Sequence, residues 1–395
     1  MSLTRHYDVA VLGMGTMGSF AAYWLARRGH SVVGFDRFAP PHRHGSHSGD
    51  SRVYRVAYPE GSGYVPLARQ AGRLWDDLGE IWEGKLLHRI GMLHMGNPES
   101  DFIGDVAECA RVHKIEMQRL QAEEVRQRYP AFQIPDEYVG MFDPEAGWID
   151  VHAALLQSRS EAELLGAEIH LHSQVLGWKA TKGSVTVQTA DREYQASRLI
   201  VTAGAWANTL LRDLGLPLTV RRKVLAWFEP LAPQMFDEGR VPVFTFPENW
   251  IYGFPDIHGQ GVKLAEHWGG EDVASADSEI AAPNAADIDP IRATMAKYAP
   301  SLAGAPPGSA AKLLRSEVCL YTLTPDEDFV IDHHPEHPEV VFAAGFSGHG
   351  FKFAPLIGQA LAELAINART VIDIDFMALR RFPQTAVRPA RGQLS

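Results

Sequence analysis

The sequence contains few cysteines, no long apolar run and no excess of positive charge. Cys109 and Cys319 are the only cysteines among 395 residues, too few for a disulfide framework, and this favours a reduced, cytoplasmic protein. No uninterrupted apolar segment reaches the ~18 residues that a membrane-spanning helix needs. The net charge of −11 argues against a nucleic-acid partner, since nucleic acids bind basic surfaces. What remains is a chain with 46% hydrophobic residues, enough for a substantial core.

The first residues follow the pattern of a dinucleotide-binding unit. The apolar run 9–12 predicts a strand buried on both faces, and a helical pattern and a second strand over 31–35 follow it. Asp36 ends that second strand, where a carboxylate can bind the ribose hydroxyls. The turn between strand and helix has the G-x-G-x-x-G spacing at Gly13, Gly15 and Gly18. This spacing permits a tight turn, a close approach of pyrophosphate and close helix packing, but it does not distinguish FAD from NAD.

Nucleotide-domain signals recur near residues 200 and 345, with a strand-rich part between them. This arrangement predicts a mixed α/β fold in which a Rossmann-type FAD-binding domain is assembled from separated segments and a strand-rich substrate domain is inserted. Simple NAD dehydrogenases usually keep this domain contiguous. The predicted FAD-binding segments are 1–84, 145–217 and 317–385; the substrate domain is 85–144 and 218–316, and 386–395 is a tail.

Three local patterns give further structural predictions. Apolar spacing over 64–83 predicts a helix, and the acidic, alanine-rich stretch 271–289 predicts an exposed connection. Asp289 and Pro290 predict the N-cap and first residue of the next helix.

Two histidine groups and an arginine pair are the first candidates for chemistry. The histidines, at 42, 44, 47 and at 333, 334, 337, lack the spacing of a zinc site, so we expect solvated loop histidines and no metal. Arg52 and Arg55 follow a polar loop and would either neutralise a flavin or bind a substrate carboxylate. A pair of surface arginines is the alternative.

Cys319 precedes a glycine-rich turn that carries Gly345, Gly348 and Gly350. The turn lies between a buried strand and a predicted helix, whose amide groups would face an electron-rich ligand such as a flavin. Lys352 at that helix start could instead reach a substrate carboxylate. A buried structural cysteine is the plainer interpretation of Cys319.

Taken together, these segments resemble the family of monomeric sarcosine oxidase and N-methyltryptophan oxidase. The resemblance extends over nearly the whole chain and is most specific in "CLYTLTPDEDFVID" and "AAGFSGHGFKF"; it also includes "PPHRHGSHSGDSRVYRVAY", "RKVLAWFEP", "IYGFP" and "VKLAEH". It implies FAD bound covalently by a cysteine thioether at the position of Cys319, which a thiolate nucleophile could form. It also implies a monomer.

The resemblance assigns further roles residue by residue. Arg52 matches an arginine stacked near the flavin, and Arg55 and Lys352 match the pair that binds the substrate carboxylate. Lys263 matches the lysine at which oxygen is activated, where a cation would stabilise forming superoxide. The expected catalytic set is Lys263, Arg52, His267, Tyr252 and Tyr321. The other expected FAD contacts are Gly13, Gly15, Gly18, Asp36, Ser46, Val175, Gly204, Gly348, Gly350 and Lys352, and Gly348 also adjoins the substrate.

The sequence departs from the family pattern at three positions near the expected site. Ser48 stands where relatives often have a second histidine, Val56 replaces a frequent histidine, and Pro59 replaces a common glycine. The departures leave the FAD assignment intact and bear on the identity of the substrate.

The resemblance implies oxidation of a secondary amino acid, of the sarcosine or N-methyltryptophan type, to an imine. O₂ would be reduced to H₂O₂, and hydrolysis would release the amine and formaldehyde. A pipecolate or other imino-acid oxidase is one alternative. A NAD(P)-dependent dehydrogenase and a non-catalytic flavin-binding subunit are the others.

Overall fold

The computed structural model describes residues 5–58, 61, 63–303 and 311–382. The strands of this part of the chain follow in chain order. They are β1 (His6–Leu12), β2 (Val32–Phe35), β3 (Ser51–Tyr54), β4 (Leu87–His88), β5 (Met92–Gly96), β6 (Gln118–Gln121), β7 (Val139–Asp143), β8 (Gly147–Asp150), β9 (Glu168–His170), β10 (Val175–Thr181), β11 (Ser184–Thr189), β12 (Glu193–Val201), β13 (Thr219–Phe228), β14 (Val243–Thr245), β15 (Ile251–Asp256), β16 (Val262–Glu266), β17 (Glu271–Val273), β18 (Leu313–Leu323), β19 (Val330–His333) and β20 (Val340–Ala344).

Helices cover the sheets and connect the strands. They are α1 (Thr16–Arg27), α2 (Tyr64–Ile81), α3 (Asp101–His113), α4 (Ala122–Arg128), α5 (Val151–Leu164), α6 (Ala207–Leu210), α7 (Pro233–Phe236), α8 (Ala285–Tyr298), α9 (Pro300–Ala303) and α10 (Ala354–Asn367). The predicted helix over 64–83 corresponds to α2. Within the described ranges, no helix is both long enough and apolar enough to cross a bilayer.

The first sheet has β1 at its centre, parallel to β2 on one side and to β12 on the other. β9 extends it beyond β2, and β20 pairs in parallel with the end of β12. Helices α1 and α10 pack so closely that a Cβ on Gly358 would lie 2.5 Å from the Cβ of Phe20. Parallel strands covered by helices are the Rossmann arrangement, so the predicted mixed α/β fold is confirmed.

The second sheet is built mainly from antiparallel pairs, in the order β17-β13-β16-β15-β14-β5-β7-β6, and β18 also pairs with β13. Its apolar face is buried by phenylalanine-rich packing that includes α8 and α9. β3, β8 and β4 form a small third sheet. Its strands occur in the sequence where the chain changes from one large sheet to the other. It holds the segment that carries Arg52.

The chain leaves the first large sheet for the second and returns to it twice, which makes four passages between them. Strands of the first sheet come from 6–35, 168–201 and 330–344, whereas those of the second come from 92–143, 219–273 and 313–323. This alternation supports the proposed segments 1–84, 145–217 and 317–385 for one domain and 85–144 and 218–316 for the other. β18 crosses the proposed boundary, and the tail 386–395 lies outside the described residues.

Two local predictions in the substrate part were wrong. Residues 271–289 are not only a connection, because Glu271–Val273 forms β17 against β13. α8 begins at Ala285 rather than Pro290, since Asn284 caps the helix and the carboxylate of Asp287 accepts a hydrogen bond from the Asn284 backbone at 2.8 Å. A reciprocal cap satisfies two helix-end amides, and this outweighs the preference of proline for the first position.

Candidate active site

A large cavity follows the end of β1 and reaches the turn after β20. We call it the first cavity; it encloses 1390 Å³, including its open mouth. It is lined by most of the residues that the sequence predicts to contact FAD. These are Gly13, Gly15, Asp36, Ser46, Arg52, Val175, Gly204, Gly348 and Gly350.

Glycines around the first cavity have two different functions. A Cβ on Gly18 would lie 1.9 Å from the carbonyl oxygen of Gly13, so Gly18 allows α1 to pack on the preceding turn and does not line the cavity. A Cβ on Gly15 would meet protein atoms only at 3.7 Å, and one on Gly204 would meet none within 4 Å. The backbone at Gly15 and Gly204 is therefore open to a ligand.

Asp36 is held at the edge of the first cavity by backbone amides. Its carboxylate accepts hydrogen bonds from the amide of Met14 at 2.9 Å and from that of Phe38 at 2.8 Å. These bonds hold the side chain between the glycine turn and the end of β2, the position at which an acid can accept hydrogen bonds from ribose hydroxyls.

A second cavity of 530 Å³ adjoins the first and shares Arg52, Tyr321, Gly348 and Phe351 with it. It brings together the residues predicted to surround a substrate. These are Arg55, Tyr252, His267, Tyr321, Gly348 and Lys352, joined by Val53, Met92, Thr245, Trp250 and His349.

Arg55 and Lys352 are two buried cations in the wall of the second cavity, 5% and 4% exposed. The Arg55 guanidinium lies 4.4 Å from the ring centre of Tyr58, and it donates to the carbonyl of Ala57 at 2.7 Å. Lys352 Nζ donates to the carbonyl of His349 at 2.8 Å and to the Tyr58 hydroxyl at 3.4 Å. Tyr58 thus contacts both cations, and buried cations attract an anionic ligand strongly.

Two tyrosines reach the second cavity from the same sheet, Tyr252 from β15 and Tyr321 from β18. Burial raises the pKa of Tyr321 well above 10.0, and it also raises that of Tyr252. Both hydroxyls therefore keep their protons at neutral pH and can donate hydrogen bonds. The ring of His267 lies 4.9 Å from that of Trp250 and 6.0 Å from that of Tyr321.

The Cys319 thiol lies immediately behind the wall of the first cavity. The residue is 1% exposed, and its sulfur is 3.5 Å from both Arg52 Nη2 and the Ser46 carbonyl oxygen, whose residues line the cavity. Arg52 in turn donates to the carbonyls of Ser46 at 2.9 Å and Ser48 at 2.7 Å. Arg52 therefore places a positive charge beside the sulfur and the backbone of the loop that lines the cavity.

Lys263 lies apart from the first two cavities and lines a third one of 730 Å³. Its Nζ donates to the Ser51 carbonyl at 2.6 Å, an acceptor that it shares with Arg52. Burial, followed by repulsion from Arg52, lowers the pKa of Lys263 well below 10.5. Phe254 lies under the ammonium at 4.1 Å and contributes a cation–π contact.

Two of the three departures from the family pattern, Ser48 and Val56, occupy buried positions. Ser48 is 2% exposed and donates to the carboxylate of Glu317 at 3.2 Å. Glu317 also pairs with Arg315 at 3.1 Å, so the serine belongs to an ion-pair network two residues from Cys319. Val56 is fully buried, and Pro59 lies outside the described residues.

The expectation that the histidines are solvated was wrong for His47 and His334. His47 is 5% exposed beside the first cavity, and burial lowers its pKa well below 6.5. His334 is 2% exposed and pairs with Asp213 at 2.7 Å. Contacts with distant segments bury these rings, which no local spacing predicts. Among the described residues, no group of three histidine, cysteine or acidic side chains could hold a metal.

Thr322 is a site residue that the sequence did not indicate. Its hydroxyl is buried without a hydrogen-bond partner in the described part of the protein, and the residue lines the first cavity. An unpartnered buried hydroxyl is costly unless a ligand satisfies it. Successive residues of a strand point to opposite faces of the sheet, so the sequence does not predict that Tyr321 and Thr322 line the same cavity.

Comparison with known proteins identifies similar chains. Residues 8–364 match the DAO family model, described as FAD dependent oxidoreductase. Monomeric sarcosine oxidase of Bacillus sp. (strain B-0618) is 37% identical over 387 residues, 96% of this chain and 97% of that protein. N-methyl-L-tryptophan oxidase of Escherichia coli O139:H28 (strain E24377A / ETEC) is 34% identical over 380 residues, 95% and 99% of the two chains. The open form of NikD, an unusual amino acid oxidase essential for nikkomycin biosynthesis, shares the fold, with a TM-score of 0.82, 23% identity and coverage of 98% of both chains.

Proposed function

The chain belongs to the DAO family of FAD-dependent oxidoreductases, and on this premise we propose that it oxidises N-methyl amino acids with O₂ as acceptor. The resemblance to sarcosine and N-methyltryptophan oxidases is confirmed by relatives that align over nearly the whole chain. The observation that supports the substrate class is the pair of buried cations, Arg55 and Lys352, in a cavity that shares a wall with the first cavity.

The residues around the first cavity fit FAD. The glycine turn leaves the start of α1 open, and that helix has neither a side-chain cap nor an acidic residue in its first turn. Its free amides suit a pyrophosphate. Asp36 suits the ribose hydroxyls, and the unpartnered Thr322 hydroxyl provides a donor further along the cavity. Family membership favours FAD over a nicotinamide dinucleotide.

Removal of the Thr322 hydroxyl is expected to weaken FAD binding about fivefold, because one neutral hydrogen bond contributes ~1 kcal/mol. The measurement is titration of apoprotein with FAD by flavin fluorescence, comparing Cys319→Ser with the Cys319→Ser, Thr322→Val double variant. Thr219→Val at an exposed position of β13 is the matched control and should change nothing. Equal dissociation constants for all three proteins would remove Thr322 from the FAD site.

We propose that the substrate carboxylate binds between Arg55 and Lys352. Both cations are buried, so their attraction to a carboxylate is less screened than at the surface. Tyr252 and Tyr321, whose raised pKa values keep them protonated, then orient the amino group together with His267. A substrate anchored at its carboxylate presents the carbon next to nitrogen to the shared wall of the two cavities.

Replacement of Arg55 tests this anchor directly. Arg55→Met is expected to raise KM about 10- to 150-fold, because a hydrogen bond to a charged group contributes about 1.5–3 kcal/mol. Arg55→Lys keeps the charge but loses the planar fork, so it should show a smaller rise. Arg73→Met, at an exposed position of α2, serves as the control. An unchanged KM in Arg55→Met would rule out the anchor.

The proposed reaction balances with water and O₂ as co-reactants. FAD held by the glycine turn, Asp36 and Thr322 of the first cavity would supply the acceptor for the hydride equivalent of the C–H bond and the donor of two electrons to O₂. The amine loses that hydride and its N–H proton to become an imine. Water adds to the imine, the C–N bond breaks, and the primary amine and formaldehyde leave. O₂ gains two electrons and two protons to become H₂O₂.

Cys319 and Lys263 complete the proposed site. Cys319, with Arg52 beside its sulfur, is the proposed covalent attachment point of FAD. Lys263 is proposed to stabilise the negative charge that O₂ acquires on its first reduction. Its separate cavity would let O₂ approach without passing the substrate carboxylate.

A substrate panel tests the function as a whole. Sarcosine, N-methyl-L-tryptophan and L-pipecolate are each mixed anaerobically with the purified protein, and loss of flavin absorbance is recorded; H₂O₂ and formaldehyde are then measured in air. Bleaching with an N-methyl amino acid and equimolar H₂O₂ and formaldehyde is expected. Bleaching by pipecolate alone would favour the imino-acid alternative. Failure of all three amines would overturn the proposal and favour the flavin-binding subunit.

A further inference from the structure

A buried lysine outside the expected catalytic set holds one wall of the second cavity. Lys223 lies on β13, is 3% exposed, and donates to three successive backbone carbonyls, those of His267 at 3.0 Å, Trp268 at 3.0 Å and Gly269 at 2.9 Å. An ammonium group has three N–H donors and no acceptor, so every donor of Lys223 is used. We call residues 267–269 the clamped loop.

Glycines at the end of the clamped loop allow its backbone to contact the aliphatic part of the Lys223 side chain. Gly269 and Gly270 have φ values of +84° and +88°, which favour glycine. A Cβ on Gly270 would lie 2.8 Å from Lys223 Cδ and 2.5 Å from the Arg222 carbonyl oxygen. On its other side, the loop donates from the amide of His267 to the carbonyl of Trp250 at 3.3 Å. The loop is therefore held between the lysine and the segment before β15.

The clamped loop forms part of the second cavity through His267, whose ring packs against Trp250. Lys223 itself is not among the residues that line this cavity. We propose that Lys223 is a positioning residue for substrate binding, which keeps His267 and Trp250 in place through the clamped loop. This inference rests on the proposed function of the second cavity, because it concerns the ligand that binds there.

The same geometry makes the clamp sensitive to pH. Burial lowers the pKa of Lys223 to about 8; Glu266 opposes this shift and Arg221 adds to it, whereas Cys319 opposes it only while its sulfur is not bonded to FAD. The ring of Tyr321 also faces the ammonium, with its centre 5.6 Å from Nζ. Below this pKa three donors meet three carbonyls. Above it a neutral amine offers two donors and a lone pair, so one carbonyl loses its partner and the loop is held less firmly.

The test measures binding of a carboxylate that does not titrate in this pH range. Methoxyacetate, in which an ether oxygen replaces the amine nitrogen, is titrated into wild type, Lys223→Met and Lys223→Arg by flavin absorbance at pH 6.5 and 9.5. In wild type, Kd should rise about fivefold between the two pH values. Lys223→Met should bind about tenfold more weakly at pH 6.5 and show little further change. Lys223→Arg should restore affinity at pH 6.5 without the step near pH 8, because arginine remains charged.

Hydrogen exchange of the amides in 266–270, corrected for the intrinsic pH dependence, gives a readout that needs no ligand. Faster exchange of these amides in Lys223→Met at pH 6.5, and in wild type at pH 9.5, is expected. Lys312→Met at an exposed position is the control. Equal exchange in wild type and Lys223→Met, or an unchanged methoxyacetate Kd, would overturn the inference. A wild-type protein with the exchange step but no methoxyacetate binding at either pH would count against the proposed substrate site instead, and with it the proposed role of Lys223 in binding.

Discussion

Cys319→Ser is expected to release all flavin when the protein is denatured with acid, whereas the wild-type precipitate should remain yellow. The sulfur lies 3.5 Å from an Arg52 nitrogen and next to the Ser46 carbonyl at the wall of the first cavity. The thiolate form of a cysteine is the one that attacks an electrophilic carbon of the flavin. A serine hydroxyl at this position is far less acidic and should form no bond. Absorbance near 450 nm of the washed precipitate measures the result.

Cys109→Ser is the matched control, because Cys109 is the other cysteine of the chain. Its sulfur accepts a hydrogen bond from the Tyr58 amide at 3.1 Å, and a serine oxygen can take over that bond. This variant should keep its acid-stable flavin. Acid-stable flavin in Cys319→Ser, or its absence from wild type, would contradict the covalent attachment.

Lys263→Met is expected to slow the reaction of the reduced protein with O₂ about 100- to 1000-fold, the usual effect of removing one electrostatic donor from a developing anion. Anaerobic reduction by substrate should change little, because Lys263 lines the third cavity and not the second. Stopped-flow absorbance separates the two half-reactions. Lys312→Met, which removes an exposed ammonium, is the control. Reoxidation at the wild-type rate would exclude Lys263 as the oxygen site.

The same substitution has a predictable effect on stability. Because burial lowers the pKa of Lys263 in the folded protein, the unfolded chain binds more protons between that pKa and 10.5. The free energy of unfolding contributed by Lys263 therefore increases with pH across this window, and the buried group is a cost at neutral pH. Lys263→Met should be more stable than wild type at pH 7, and the difference should shrink toward pH 10. Urea unfolding at both pH values measures it.

Much of the fold could be predicted from local sequence. The glycine spacing at Gly13, Gly15 and Gly18 and the acid at Asp36 depend on neighbours in one strand–turn–helix unit, and the structure forms that unit. The predicted start of α8 at Pro290 was wrong because the capping interaction of Asn284 outweighs the preference of proline for the first helical position. Arg55 and Lys352 were assigned by resemblance, and the fold brings residues almost 300 positions apart into one cavity.

By itself, the sequence determined the dinucleotide unit, the class of protein and the residues most suited to bind an acid or attack a flavin. These follow from short-range geometry and from motif chemistry. Three features were decided only by the tertiary structure. Lys223 donates hydrogen bonds to a loop 44 residues away, the Thr322 hydroxyl has no hydrogen-bond partner in the described part of the chain, and Lys263 lines a cavity separate from the other two. Such features depend on burial, which removes water from a charge or hydroxyl and is set by segments far apart in the chain.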